Sequence, residues 1–213
     1  MLIEVWSDVV CPWCYIGKRK LELALSQYEG PEPEVRYRAF QLDPRAPHGP
    51  GMPVREAYAK KFGGEEAADR ILQRVTEAAA EVGLGFRLDR AIRANTLDAH
   101  RLLALALEEG VQRQLKEELL QAYFVDGQDI GASSTLVERG VSAGLAEDRI
   151  REWLDGPGGL DRVRPISPRP NSVTSPQVPS TVFAGGFPVP GAQEPDTFLK
   201  VLERTAERHG GAG

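Results

Sequence analysis

The sequence predicts an α/β fold in which one sheet is assembled from both ends of the chain and a large all-helical insertion fills the middle. Three observations predict it. An apolar, strand-like run, Leu2-Ile3-Glu4-Val5-Trp6, leads into Cys11-Pro12-Trp13-Cys14 and an amphipathic segment. From residue 54 the chain carries helical periodicity broken by glycines, and Val182 to Val189 reads as a hairpin followed by a last helix. The expected order is βαβ, helical block, ββα.

Residues 2–6 are short, apolar and closed by Ser7-Asp8, as a buried strand is. From Trp13, apolar Ile16, Leu21, Leu23 and Leu25 alternate with Lys18, Arg19, Lys20 and Glu22 in a helical pattern that should end near Gly30-Pro31. Val35 to Phe40 alternates apolar and basic residues, which predicts a second strand with one solvated face. Pro44, Pro47, Pro50 and Pro53 mark a loop and a change of architecture. The periodicity then predicts helices at 54–62, 65–82, 96–109, 112–125, 134–143 and 146–154, with Ser133 and either Thr96 or Asn95 as N-caps. No fixed period recurs, so this block is an insertion and not a solenoid. Gly185-Gly186 turns the hairpin, Pro188 puts its second strand at an edge, and Glu194 to Arg208 is the final helix. The expected division is 1–50 with 175–213 for the sheet domain, and 51–174 for the helical insertion.

With 213 residues the chain can bury a core without staples. Its 26 basic and 31 acidic residues, a net charge of −5, provide no basic field for nucleic acid. The N-terminus enters strand sequence at once, without the features of a signal peptide. No apolar run approaches the ~18 residues that span a bilayer. The expectations are a cytoplasmic location and no membrane partner. In a reducing compartment, a lone cysteine pair is more often catalytic or metal-binding than structural.

Cys11 and Cys14 are the only cysteines, and a Cys-x-x-Cys at a strand–helix junction reads as a thioredoxin-like redox motif. A zinc site would need two more ligands, and His48, His100 and His209 show no metal-ligand spacing, so no metal is expected. The attacking species in disulfide exchange is a thiolate. A helix starting at Pro12 puts Cys11 at its N-cap, where free amides and the positive end of the dipole favour an anion, so Cys11 is the expected nucleophile. Pro12 suits the first turn. Cys14, deeper along the helix, is the expected resolving thiol. Trp13, between the two cysteines, should stay near the surface, within an apolar rim of Trp13, Tyr15, Phe40, Leu42 and Pro44.

Three ordered stretches carry a resemblance: Ser7 to Lys18, Asn95 to Leu102, and Val178-Pro179 followed by Pro190-Gly191-Ala192-Gln193. Together they resemble the DsbA-like thioredoxin-fold oxidoreductases, specifically the cytoplasmic FrnE-type branch. The resemblance implies a thioredoxin fold interrupted by an all-helical domain, with a cis-proline at Pro179 opposite the cysteines. Pro12, Trp13 and Val178 would then contact substrate, and His100 and Asn95 would face the site from the helical cap. It also suggests Glu4 as a proton relay, against the plainer alternative of a sheet carboxylate paired with Arg36 or Arg38. The implied partners are protein or small-molecule thiols and disulfides. No cofactor is implied beyond the redox-active disulfide, with glutathione as a possible electron donor or acceptor. Two rival functions stay open: a glutathione-dependent isomerase or transferase of the kappa type, and a holdase-like binding module.

Pro165 to Ser172 departs from that pattern. Related proteins run an acidic, alanine-rich helix here, which three prolines forbid. A genuine loop and a locally shifted reading frame both account for it. Back-translation with GC-rich codons from the last base of the Arg164 codon allows Ala-Asp-Leu-Ala-Glu-Ala-Gln-Gln, and resequencing codons 160–182 separates the two.

Overall fold

A computed structural model describes residues 1–49, 51–163 and 178–210. The discordant segment around Pro165 to Ser172, and both explanations for it, lie outside them. Strand β1 (Leu2–Ser7) runs parallel to β2 (Glu34–Ala39), with helix α1 (Pro12–Gln27) as the crossover. β3 (Ser180–Phe183) pairs antiparallel with β1, and β4 (Val189–Pro190) pairs antiparallel with β3, giving the order β2-β1-β3-β4. The hairpin forms around Gly185-Gly186, and β4 takes the edge, where a proline that cannot donate to a ladder is tolerated. α8 (Pro195–Gly210) returns to pack on α1.

Strand alternation decides which residues make the sheet core. Ile3 and Val5 are buried on one face of β1, and Val35 and Tyr37 on β2. They join Leu21 and Ala24 of α1, Phe183 of β3, and Phe198 and Leu202 of α8 in one apolar cluster. Arg36 and Arg38 alternate with the buried pair, as the sequence predicts.

Between β2 and β3 lie α2 (Val54–Phe62), α3 (Glu65–Ala80), α4 (Leu97–Glu108), α5 (Gln112–Gln121), α6 (Ser133–Ser142) and α7 (Glu147–Asp155). The predicted helix over 112–125 instead ends in a π-helical turn, Ala122–Asp126, closed by Gly127 in the left-handed conformation (φ 68°). That turn puts Phe124 in the core against Phe86 and turns Tyr123 onto a surface groove. The caps also differ. Ser133 is the first helical residue and Ala132 the cap, while Thr96 caps α4 without a side-chain bond. Asn95, one residue earlier, accepts from the Leu97 N–H at 2.9 Å.

The helical block has its own apolar cluster, built on Leu102, Leu105, Leu115, Leu119 and Ile150, and it reaches into the sheet domain through Val9, Tyr15 and Ile16. The first turns of α1 thus belong to one core and its later turns to the other. α5 seals the edge of the sheet. Gln112 accepts from the Tyr37 N–H at 2.8 Å and donates to its carbonyl at 3.0 Å, satisfying backbone that the edge strand β2 would leave unpaired. Among the described residues, no helix is long and apolar enough to cross a membrane.

Candidate active site

Cys11 is the N-cap of α1 with extended backbone (φ −89°, ψ 113°), and its carbonyl accepts from the Cys14 N–H at 3.0 Å. No side chain caps this helix end, so Cys11 stands uncovered at the positive end of the helix dipole. Cys11 and Cys14 are both reduced and each is 3% exposed, whereas Trp13 between them is 38% exposed. Similar burial hides an asymmetry. Cys11 Sγ lies 3.9 Å from the Val178 carbonyl, and the peptide bond from Val178 to Pro179 is cis. Pro179 packs on α1 so closely that a Cβ on Gly17 would sit 3.1 Å from its Cγ. Cys14 faces the interior, where burial, a hydrogen bond with Cys11 and the Cys11 charge push its thiol well above the ordinary range, against an opposing pull from Lys116.

Behind the pair lies a polar chamber. Asp8, fully buried, accepts from the Val9 N–H at 2.8 Å and the Leu42 N–H at 2.7 Å, and its Oδ1 lies 3.1 Å from His100 Nε2. His100 Nε2 also lies 3.2 Å from the Phe40 carbonyl. Both neighbours are acceptors, so Nε2 carries the hydrogen and donates. Burial raises the pKa of Asp8, but the His100 bond and charge, the Leu42 amide and the Lys116 charge outweigh it and hold the carboxyl below its usual range. Lys116 of α5 is 1% exposed, and a cavity of about 70 Å³ lined by Ser7, Tyr37, His100, Gln112 and Lys116 adjoins it.

Beside Val10, which precedes Cys11, lies an open groove of about 610 Å³. Val10, Leu42, Tyr58 and Tyr123 form its apolar lining, with Arg45, Lys60, Lys61 and Arg93 around them. Tyr58 is close enough to the dithiol for the Cys11 charge to raise its phenol pKa, after burial. Asp43 pairs with Arg93 and Glu56 with Lys60, while Arg45 and Lys61 have no ion pair among the described residues. The groove is therefore electropositive in a chain that is acidic overall.

These positions sort the sequence-based candidates. Cys11, Pro12, Trp13, Cys14, Val178 and Pro179 converge at one place. Asn95 and His100, expected to face the site as substrate contacts, are both buried, and the Asn95 amide and His100 Nε2 have protein partners. Asn95 donates to the Ala46 carbonyl at 2.6 Å and caps Leu97, while His100 holds Asp8 and the Phe40 carbonyl. They fix the 40–46 loop and the inner wall instead of facing the groove. Glu4, expected as a relay or as a sheet carboxylate paired with Arg36 or Arg38, lies on the face of β1 opposite Ile3 and Val5 and is ion-paired with Arg38 at 2.6 Å. Tyr15 of the expected rim is core, stacked near Phe86 and bonded to Glu117 at 2.7 Å. Sequence reasoning missed Asp8, Lys116, Tyr58 and the four groove cations. For Lys116 a signal existed, since it stands in the apolar stripe with Leu119, Leu120 and Tyr123.

The comparisons with known proteins agree with this geometry. The chain is 33% identical to a probable DsbA oxidoreductase from Streptomyces coelicolor, with a TM-score of 0.87 over 96% of this chain and 89% of that one. The cytosolic disulfide reductase DsbM from Pseudomonas aeruginosa, 16% identical over 98% and 100% of the two chains, shares the fold with a TM-score of 0.63. So does a 2-hydroxychromene-2-carboxylate isomerase, 11% identical over the whole of both chains, with a TM-score of 0.65. The DSBA-like thioredoxin domain model matches residues 2–203, and the chain belongs to that family of thioredoxin-fold oxidoreductases.

Proposed function

We propose that the chain is a cytoplasmic thiol–disulfide oxidoreductase and isomerase of the FrnE-type branch, cycling Cys11 and Cys14 between dithiol and disulfide. The observation that supports this most is the dithiol itself. One sulfur sits at a free helix N-terminus beside the Val178 carbonyl and the other, hydrogen-bonded to it, faces the interior. The Cys11 thiolate attacks one sulfur of a substrate disulfide, forming a mixed disulfide and releasing one substrate thiolate, which takes a proton. Cys14, once deprotonated, attacks Cys11 Sγ, forming the Cys11–Cys14 disulfide and expelling the second thiolate. The substrate disulfide gains two electrons and two protons, and two equivalents of a small thiol such as glutathione return the enzyme to the dithiol. If the second attack comes instead from another thiol of the same substrate, the step is isomerisation and no net electrons move.

The electropositive groove beside Cys11 favours substrates with acidic groups flanking the disulfide, and carboxylate-bearing small thiols. Trp13, exposed between the cysteines, supplies an apolar contact to the same substrates. Reduction of insulin or scrambled ribonuclease by the native chain, Cys11→Ser and Cys14→Ser is the direct test. Cys11→Ser should abolish turnover, and Cys14→Ser should accumulate a mixed disulfide that is visible by mass. Full activity in Cys11→Ser would overturn the mechanism. A glutathione-dependent activity indifferent to both substitutions would point to the isomerase chemistry instead.

A further inference from the structure

Two lysines, on α1 and on α5, are buried, and they are treated differently. Lys18 of α1, 5% exposed, is met by the carboxylates of Glu22 and Glu117. Lys116, next to Glu117 on α5, is more deeply buried, and its Nζ has no hydrogen-bond partner among the described residues. It lies over the face of the Tyr37 ring, 5.5 Å from Nζ to the centroid. The acceptors nearby are taken, since Asp8 is occupied by Val9, Leu42 and His100. A permanently charged ammonium in such a place is costly, and natural chains rarely keep one without a use. Ser7 Oγ, on the same small cavity, is the other buried polar side-chain atom without a partner among the described residues. Arg38 and Arg162, both partly exposed, line its outer side, so the cavity joins Lys116 to the surface and has room for water.

We propose that Lys116 is the countercharge of the resolving cysteine, taking up a proton as Cys14 loses one. In the mixed disulfide, Cys14–SH with Lys116–NH2 becomes Cys14–S⁻ with Lys116–NH3⁺, the proton moving by way of the chamber. Cys14–S⁻ then attacks Cys11 Sγ, the bond from Cys11 to the substrate sulfur breaks, and the substrate leaves as thiolate. Once the thiolate charge has vanished into the disulfide, the ammonium is again unpaired and releases its proton through the cavity. Lys116 acts through Cys14 and does not touch substrate, so it is a positioning residue. Burial lowers its pKa to about 8, with the charges of Cys14, Asp8 and Cys11 pulling it back up and that of Lys18 pushing it further down. Tyr37, His100, Arg38 and Arg162 complete the titratable groups facing the cavity. An amine poised there exchanges protons near neutral pH.

This inference rests on the disulfide-exchange mechanism above, but its test does not require turnover. In Cys11→Ser, Cys14 is the only thiol, and its ultraviolet thiolate absorbance reports its titration. Adding Lys116→Met should leave about tenfold less Cys14 thiolate at a given pH. Superimposable titrations would overturn the proposal. In the otherwise native chain, a chromogenic aryl thiol is attached to Cys11 as a mixed disulfide, and its release reports attack by Cys14. Lys116→Met should slow release about a hundredfold at neutral pH, with the deficit shrinking as pH rises, while the attack of Cys11 on the aryl disulfide changes less than about threefold. An unchanged release rate would overturn it. If Lys116→Met does not fold, Lys116→Gln takes its place. The native chain supplies a third measurement: release should rise through a midpoint near 8, and a flat profile would overturn the proposal. A native chain that reduces no disulfide would refute the proposed function, while the Cys14 titration would still judge Lys116.

Discussion

The two sides of the dithiol differ in kind. Outward, beside Val10, lies a groove of about 610 Å³ edged by Arg45, Lys60, Lys61 and Arg93, whose charges are solvated at the surface, only Lys60 and Arg93 having an ion pair among the described residues. Inward, Asp8, His100 and Lys116 are almost wholly removed from water, the last two lining a cavity of about 70 Å³. A charge in the groove is weakly coupled to folding and strongly to what approaches, because water and salt screen it. A charge in the chamber is coupled to folding and to its neighbours' protons, because nothing screens it. Recognition therefore belongs to the groove and proton management to the chamber, and helix α1 joins them by having its N-terminus between the two.

The largest expected effect tests the inner side. Asp8→Ala removes the acceptor of the Val9 and Leu42 amides, leaves His100 Nε2 with the Phe40 carbonyl alone, and should cost about 3–5 kcal/mol in urea unfolding. Arg45→Ala, on the groove, should stay within about 0.5 kcal/mol. Equal losses at the two positions would erase the distinction. The next effect tests the outer side. Lys60→Glu with Lys61→Glu should lower kcat/KM for an acidic disulfide peptide about tenfold at low salt, less at high salt, with the unfolding midpoint unmoved. A loss independent of salt and of substrate charge would remove steering as the role of the groove.

How much of this was legible in the sequence follows the same division. Residues that act through local order were readable. The strand, Cys-x-x-Cys and helix are contiguous, so Cys11 at the N-cap followed from spacing, and the glycine-punctuated helices followed from periodicity. Residues that act through long-range packing were not. Asp8 looked like the end of a strand, and its role depends on His100, ninety-two positions away. Glu4 looked like a buried relay because it stands in an apolar run, but a strand has two faces and it points to the one bearing Arg38. Asn95 and His100 were assigned to the site because their helix resembled a family motif. Their backbone partners at Ala46 and Phe40 show that the motif holds a loop. The groove could not be read at all, since it joins Val10, Arg45, Lys61 and Tyr123 from four separate segments.

Acid sharpens the comparison at lower cost. The Asp8 carboxyl is held below its ordinary value in the folded chain, so the folded state binds fewer protons than the unfolded one across that interval. Its contribution to stability is complete above the unfolded pKa of about 3.9 and is lost as pH falls through the lower folded value. Asp8→Asn should flatten that part of the urea-derived stability profile. A Lys60→Gln chain should keep it, and an undiminished acid slope in Asp8→Asn would assign the slope to other carboxylates.

The smallest expected effect concerns the join between the two sides. Gly17 lies on α1 where a Cβ would sit 3.1 Å from Pro179 Cγ and 3.4 Å from Ala192 Cα and Cβ. Alanine there gains roughly 0.5–1 kcal/mol of helix propensity, but the Pro179 wall must give by a few tenths of an ångström. The two terms oppose each other in stability, so the unfolding midpoint of Gly17→Ala should scarcely move. They do not oppose each other in catalysis, because the displaced wall carries the Val178 carbonyl that faces Cys11 Sγ. Since a misplacement of about 1 Å can cost a hundredfold, a few tenths should lower kcat/KM about threefold. Measured side by side, unchanged stability with reduced exchange would mark Gly17 as spacing for the substrate-facing wall. Unchanged exchange would mean that the wall follows α1 without effect on the chemistry.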